Sequence, residues 1–508
     1  MAGATSCSNE ELVEKQLNPT GDLMLSANIG TSSRTSVDET GKATWVKGDK
    51  LYAWGNGSNA EFTLYEGAGK VEGLFTGELK KGYAEYLEKV AYPLEMVTEE
   101  SGKVYVNLSE VNYGNSSAPM YGTISDGNVA FSNLTSMLRI RVKNMPDNAT
   151  LTVSGTGIGG KAELKDGELK NYPSAEQIVT VTGIAANAEY IDVPVYAVGP
   201  VEVSISVNGS NSYNVKLDIK KSEVYRSNIP ELSYVDGKLA VVWDGSVDTD
   251  WYDSELGEFV LTTPAQLAGL AELVNNAGTN FKNKTIKLGA SFDMADIGWT
   301  PIGLYNSSII FSNDFDGNGN IISGLRVDNE SGYAGLFGAV EGVKIENLTI
   351  TESSFIGKYS GCIVAYAKGN VDLNNVVVTN SVAIENGVEY PNRFIGYKRV
   401  NAEITTDDGK SQFVTTIEEL QTALDKEGNS EINIVLGCDL IGDVTVTQKE
   451  GVKISIDGQK HKFAGVITVD GQSGTYITAA LTIKNVNFNA GSISSDACIR
   501  LGDVRRKI

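Results

Sequence analysis

The chain has 508 residues, 41% hydrophobic and 21% charged, which excludes wholesale disorder and leaves room for three or four domains. Asp and Glu outnumber Lys and Arg by 64 to 42, a net charge of −22, so the surface repels phosphate backbones and anionic lipid and nucleic-acid binding is excluded. A single histidine removes nearly every site that needs two imidazoles, and Cys7, Cys362, Cys438 and Cys498 show no CxxC spacing. Glycine at 55 and proline at 11 predict many tight turns between short strands. No apolar run reaches the roughly 18 residues of a membrane-spanning helix.

Residues 1–20 read as a start and tether, rich in Ser, Asn, Glu and Lys. The small residues leading to Cys7 resemble a bacterial lipobox whose basic and hydrophobic upstream parts are missing, so a further leader is expected. That resemblance implies lipidation of Cys7, and Glu10-Glu11 resembles the surface-export signal of some outer-membrane lipoproteins. The alternative is a stray cysteine in a solvated tail. The lipidated reading places the chain on the outer membrane or cell surface of a Gram-negative bacterium, or in a fimbrium, with the lipid as its only membrane contact.

Two β-sandwich domains are expected at 21–128 and 129–240. Short alternating segments at Leu23–Ile29, Lys50–Trp54 and Glu61–Tyr65 are separated by Gly, Asn and Asp clusters at about ten-residue spacing. A second set starts at Phe131–Val142 and continues through Leu151–Val153, Ile191–Val195 and Val201–Val207. The segment Arg34-Thr…Thr44-Trp45-Val-Lys-Gly48-Asp49-Lys-Leu51 resembles the fimbrillin family, as do Phe62-Thr-Leu, Gly69, Leu74-Phe75-Thr-Gly77 and Ala91-Tyr92-Pro93. The Arg-Thr order is reversed relative to the family. The resemblance covers about residues 20–238. It implies a fimbrillin/transthyretin-like sandwich pair, assembly by strand exchange with other fimbrial subunits, and Arg34 as a proteolytic processing point. A surface-loop arginine is the alternative for Arg34. Trp45 is expected as a core anchor and Gly48-Asp49 as a turn.

Beyond Trp243 the texture changes. Thr263-Pro-Ala-Gln266 is a capping box before the helical face Leu267, Leu270, Ala271 and Val274. The cassette recurs from residue 413: Thr416-Ile-Glu-Glu419 precedes Leu420, Ala423 and Leu424. Phe315-Asp-Gly317, Ile322-Ser-Gly324 and Ile345-Glu-Asn347 return as Ile456-Asp-Gly458, Phe463-Ala-Gly465 and Ile483-Lys-Asn485, an internal duplication. Within the first copy Tyr333-Ala-Gly335-Leu-Phe-Gly338 returns as Tyr359-Ser-Gly361-Cys-Ile-Val364 about 26 residues on, with Asn347 answered by Asn374. Short strands joined by Gly/Asn corners predict stacked coils with an asparagine ladder. Gly335-Leu-Phe-Gly338 resembles the GLUG-type repeat of bacterial surface adhesins, which implies a right-handed parallel β-helix, each helix capping the exposed first coil. The expected units are 245–402 and 411–508, the second stopping barely past its first coils, so truncation there is expected.

Chemistry-bearing motifs fail on inspection. Asp314-Phe-Asp316-Gly-Asn318-Gly319 starts like a calcium loop but has Leu325 where a bidentate Glu is needed. Gly155-Thr-Gly157-Ile-Gly159-Gly160 is followed by no helix and reads as a glycine-rich hairpin. His461 falls where the first copy has Asn320, a corner hydrogen-bonding slot. Asp407-Asp408 and Glu418-Glu419 lack a basic partner, and Cys362, Cys438 and Cys498 read as buried apolar residues. No catalytic residue, metal site or cofactor is implied, and the chain is expected not to be an enzyme. The leading reading is a surface-anchored cell-adhesion protein, a fimbrial tip or accessory subunit or a standalone adhesin. Its partner is a host surface protein or glycan, and residues 245–508 carry the adhesion. The rival is a carbohydrate-binding or polysaccharide-degrading β-helix protein of the outer membrane. Trp299, Tyr305, Tyr333 and Tyr359 are the candidate exposed ligand-contact aromatics, although Tyr333 and Tyr359 recur at the repeat spacing and also suit packing between coils.

Overall fold

The computed structural model describes residues 23–501, except 30–35, 38–42, 114–117, 172, 197, 221–223, 226–228, 305–308, 400, 401, 403, 407–411, 427–430, 449, 450, 459, 460, 472–479 and 489–498. The chain is mostly β, with two α-helices among the described residues, and divides into two compact units, Met1–Leu239 and Ala240–Ile508.

In the first unit, Leu23–Ile29 pairs antiparallel with Glu72–Lys81 and parallel with Asn128–Asn133. Through Met120–Ser125, Lys89–Tyr92, Lys50–Gly55 and Ser58–Glu66 the pairing runs on until it closes as a seven-stranded barrel. A sandwich would leave two sheets with separate edges; here the first strand fills the gap between the two edges. The alternation of Leu25, Ala27 and Ile29 faces a core with Leu51, Phe62, Phe75 and Val90, and Trp45 sits at its centre. Trp45 is 1% exposed and meets Phe75, Tyr92 and Phe131 edge-on at 4.9, 5.4 and 5.8 Å. Its Nε1 donates to the Ala27 carbonyl at 3.3 Å, so Phe75, Tyr92 and Phe131 converge on one anchor. Each such buried ring contributes about 2–3 kcal/mol.

Two expectations change in this unit. Phe131, read as the start of a second domain, belongs to the barrel. Lys103–Asn107 pairs with Lys161–Lys165 and Glu110–Asn112 with Glu176–Ile184, so the 128/129 division does not separate the sheets. The glycine run 155–160 is not a hairpin: Ala149–Thr156 pairs with Glu176–Ile184 and Gly199–Val207, whereas Lys161–Lys165 joins a different sheet. The true hairpin follows, turning at Asp166 and Gly167, both at positive φ, into Glu168–Lys170.

The second unit is built from parallel ladders. Asp314–Ser323, Val343–Thr351 and Val371–Asn374 stack in one, Arg326–Ala334, Ser354–Ser360 and Val382–Glu385 in a second, and Phe337–Val340, Val364–Ala367 and Ile395–Lys398 in a third. Each circuit of the chain adds one strand to each ladder, which places Phe315, Phe337, Ile345, Phe355, Val364 and Leu373 in the buried interior. The second cassette repeats this with Glu431–Leu436, Lys453–Asp457 and Ala480–Lys484, beside Leu440–Ile441 and Lys462–Ala464, and Val444–Gln448 and Ile467–Gly471.

Corners are held by side-chain relays. Asn347, at φ 52°, donates from Nδ2 to Asp316 Oδ1 at 3.1 Å and accepts from Asn375 Nδ2 at 3.0 Å. The partner in the next circuit is therefore Asn375, 28 residues on, not Asn374. In the second cassette Asn485 donates to Asp457 Oδ1 at 3.0 Å, so the duplication extends to the hydrogen bond. Gly317 and Gly458 are required by the same corner: a Cβ would lie 2.5 Å from the Asn347 carbonyl oxygen and 2.7 Å from that of Asn485.

Both helices form as their caps dictate. Thr263 Oγ1 accepts from Gln266 N in Pro264–Asn275, and Thr416 Oγ1 accepts from Glu419 N at 3.1 Å in Ile417–Asp425. The returning bonds reach one residue further back than a capping box: Gln266 Oε1 takes Thr262 N and Glu419 Oε2 takes Thr415 N, both at 2.8 Å. Each helix then clamps the backbone of the third ladder's first segment with one amide side chain. Asn275 donates to Pro301 O at 2.9 Å and accepts from Gly303 N at 2.8 Å; Gln421 donates to Thr445 O at 2.9 Å and accepts from Thr445 N at 2.8 Å.

Candidate functional site

A cleft of about 550 Å³ opens in the second unit between the segment 296–304 and the strand Arg326–Ala334. The first wall is fixed as a rung of the ladder, because Trp299 N donates to Arg326 O at 2.7 Å and Ile302 N to Leu336 O at 3.0 Å. The second wall comes from a bulge. Asn329 pairs with Gly357 and Tyr333 with Tyr359, so Arg326–Ala334 carries two residues more than its neighbour between those rungs and pushes Glu330 and Ser331 into solvent. Arg326, Asp328 and Asn329 point outward along this wall, and the Asn329 amide lies over Gly332, where a Cβ would displace it. Trp299, Pro301, Leu304 and Tyr333 supply apolar surface.

From Tyr333 a run of tyrosines crosses three circuits. Tyr333 and Tyr359 stack at 5.4 Å and 25°, Tyr359 meets Tyr397 at 5.1 Å, and Tyr366 stacks on Tyr397 at 5.3 Å and 15°. The Tyr333–Tyr359 and Tyr366–Tyr397 separations follow the spacing of neighbouring strands, about 4.8 Å, because each pair stands on neighbouring rungs of one ladder, and the Tyr359–Tyr397 contact joins the two ladders. Tyr366 is buried, Tyr333 and Tyr359 are half-buried, and Tyr397 is 42% exposed. Lys358 Nζ lies 5.4 Å from the Tyr359 ring.

No family model and no curated protein matches the chain. Among solved structures it is similar to a putative cell adhesion protein from Bacteroides ovatus ATCC 8483, at 11% identity and TM-score 0.28, over 43% of this chain and 94% of that one. It is also similar to a putative cell adhesion protein from Bacteroides uniformis ATCC 8492, at 15% identity and TM-score 0.26, over 44% of this chain and 96% of that one. A putative adhesin from Bacteroides ovatus ATCC 8483 shows 11% identity and TM-score 0.18 over 47% and 97% of the two chains. Likenesses this remote do not speak to function.

Of the residues singled out from sequence, Cys7, Arg34, Tyr305, Asp407, Asp408 and Cys498 lie outside the described residues. Trp299 is not exposed as expected: it is 5% exposed, because its Nε1 is spent on Leu336 O and its ring packs edge-on against Trp243 at 6.1 Å. Tyr333 and Tyr359 come together, and they pack between circuits while keeping part of each ring in solvent. Tyr366, Tyr397, Arg326, Asp328 and Asn329 were missed. Tyr397 could not be found by a 26-residue period, since it stands 31 residues from its rung partner Tyr366.

Two other concentrations of chemistry are taken up by structural partners. A cleft of about 630 Å³ in the first unit is lined by Arg139, Arg141, Lys143 and Tyr190, but Arg139 is forked onto Asp192 at 2.7 and 2.6 Å and Lys143 pairs with Glu231 at 2.9 Å. Asp316 in the calcium-like segment accepts from Asn318 N and Asn347 Nδ2, as a corner residue does. His461 corrects an expectation: Asn320 hydrogen-bonds Leu288 O at 3.1 Å, whereas neither His461 ring nitrogen has a hydrogen-bond partner among the described residues. Its ring is 1% exposed against Phe394, and the nearby Asp439 Oδ1 accepts from Lys462 N at 2.9 Å. Cys362 and Cys438 are buried, and burial raises both thiols, that of Cys438 to about 12, so neither is a nucleophile. No three His, Cys, Asp or Glu among the described residues group to hold a metal.

Proposed function

We propose that this chain is a non-catalytic cell-surface adhesin whose binding face is the tyrosine run and adjoining cleft of the second unit. Residues 245–508 form a parallel β-helix on this reading, supported by the three ladders, the corner relays and a helix over each first rung. The first unit provides anchoring or assembly, held at the outer membrane of a Gram-negative bacterium by lipid on Cys7. The observation that carries the reading is the group Tyr333, Tyr359 and Tyr397, three partly exposed aromatic rings from successive circuits in contact across the second and third ladders. Tyrosine supplies large contact area at low entropy cost, and repetition on a rigid array adds weak contacts into avidity.

The test is adhesion of the full chain to mucin-coated and epithelial-cell surfaces. The double substitution Tyr359→Ala with Tyr397→Ala should reduce retention about tenfold, an effect of about 1.4 kcal/mol. Unchanged retention with an intact thermal transition would remove the binding face from this group. Incubation with neutral and uronate-rich glycans should give no new reducing ends and no unsaturated product.

A further inference from the structure

We propose that the cleft and the tyrosine run together bind a neutral oligosaccharide, an inference that rests on the adhesin reading above. A pyranose ring offers an apolar C–H face and a rim of hydroxyls. Its complement is an aromatic surface with planar hydrogen-bonding groups beside it, not a uniformly apolar or uniformly charged patch.

The second unit supplies both parts together. The Tyr333 ring is half-buried at the mouth of the cleft, and Arg326, Asp328 and Asn329 stand exposed along the same strand. These three side chains make no hydrogen bond or ion pair with other described residues, so their donors and acceptors face solvent. A guanidinium, a carboxylate and an amide in a row can donate to and accept from vicinal hydroxyls, which act as both. The strand bulge at 330–332 sets the wall that makes the site concave.

Length and charge narrow the ligand. The ring surface continues from Tyr333 to Tyr359 at 5.4 Å and on to Tyr397 at 5.1 Å, which offers more than one ring for stacking and suits a chain of several sugars. Two carboxylates, Asp296 and Asp328, face one guanidinium, Arg326, in a chain of net charge −22. A sulfated or uronate-rich polymer would be repelled both locally and at long range. Nothing in the arrangement calls for bond cleavage; it holds a glycan.

Affinity electrophoresis of the full chain tests this, through gels containing mannan, galactan or β-glucan as neutral polymers and polygalacturonate or chondroitin sulfate as polyanions. At least one neutral polymer should retard the protein. Tyr333→Ala and Asp328→Ala should each weaken that retardation about tenfold. Tyr65→Ala, at a 71% exposed ring of the first unit, should not. Asp328 lies on the surface, so its variant reports on binding even where Tyr333→Ala lowers stability; thermal melts accompany both. Retardation by polyanions alone, retardation equal in all variants, or none by the neutral panel would each overturn the proposal. The same preparations on mucin separate the two readings. Adhesion lost in the Tyr359→Ala, Tyr397→Ala variant but not competed by neutral saccharide sinks the saccharide while leaving the adhesin. Saccharide binding without adhesion does the reverse.

Discussion

Asp49 shows how a turn residue acquires a second role through burial. It follows Gly48 at φ 98°, accepts from Val46 N at 2.7 Å and from the Tyr92 hydroxyl at 3.0 Å, and lies against the Trp45 core. Burial outweighs those two bonds and pushes its carboxyl up from 3.8 to about 6. Between those values the folded chain keeps a proton that the unfolded chain has released. The contribution of Asp49 to the stability of the barrel is therefore fully present below the lower value and is lost as pH rises through the upper one. A shift of this size is worth about 2–3 kcal/mol. Urea unfolding followed by tryptophan fluorescence should show the stability of wild type relative to Asp49→Asn falling between pH 4 and 7. Equal slopes would remove Asp49 as the source. The motif made Trp45 and the Gly48-Asp49 turn legible in the sequence. The raised carboxyl was not, because it arises from burial against a core that the closed barrel assembles from distant segments, strongly enough to outweigh the bond from Tyr92, 43 residues away.

At the scale of elements, the two helices were legible because caps and apolar spacing are local signals. Their clamps were not, since Asn275 lies in the last turn of one helix and Gln421 in the middle of the other, and no alignment pairs them. Replacing Asn275 with Leu leaves Pro301 O and Gly303 N without their buried partners, and should cost about 2–3 kcal/mol. Differential scanning calorimetry should show the second unit's transition moving down while the first unit's stays. The circuits were legible from glycines and tyrosines, but not their register. Rung partners stand 26 residues apart at Tyr333 and Tyr359, 28 at Thr349 and Val377, and 31 at Val364 and Ile395. Bulges absorb the shorter differences and the antiparallel hairpin of Val382–Glu385 with Val388–Pro391 lengthens the 31-residue circuit, and neither leaves a periodic trace. The same blindness concealed the cleft, whose wall is such a bulge.

For the whole molecule, the sequence conveyed strand content and the change of texture near residue 243, but not how strands close. Closure depends on pairs such as Ser26 with Asn128, far apart in the chain and without a local signature. Function divides along the same line in our reading: a lipid on Cys7 holds the first unit, and the second meets the partner. Cys7→Ala, expressed with a complete leader, should move the protein from the membrane to the soluble fraction, as fractionation and immunoblotting will show; membrane retention would place the anchor elsewhere. One feature of the second unit bears on how such proteins change over generations. Each cassette carries a helix over its own first rung, so the lid is inherited with the part it covers. Duplication or loss of a whole cassette by recombination therefore transmits both together, and no intermediate gene encodes a lidless first rung. On the adhesin reading, copy number can change under selection for avidity without each step first having to solve folding again.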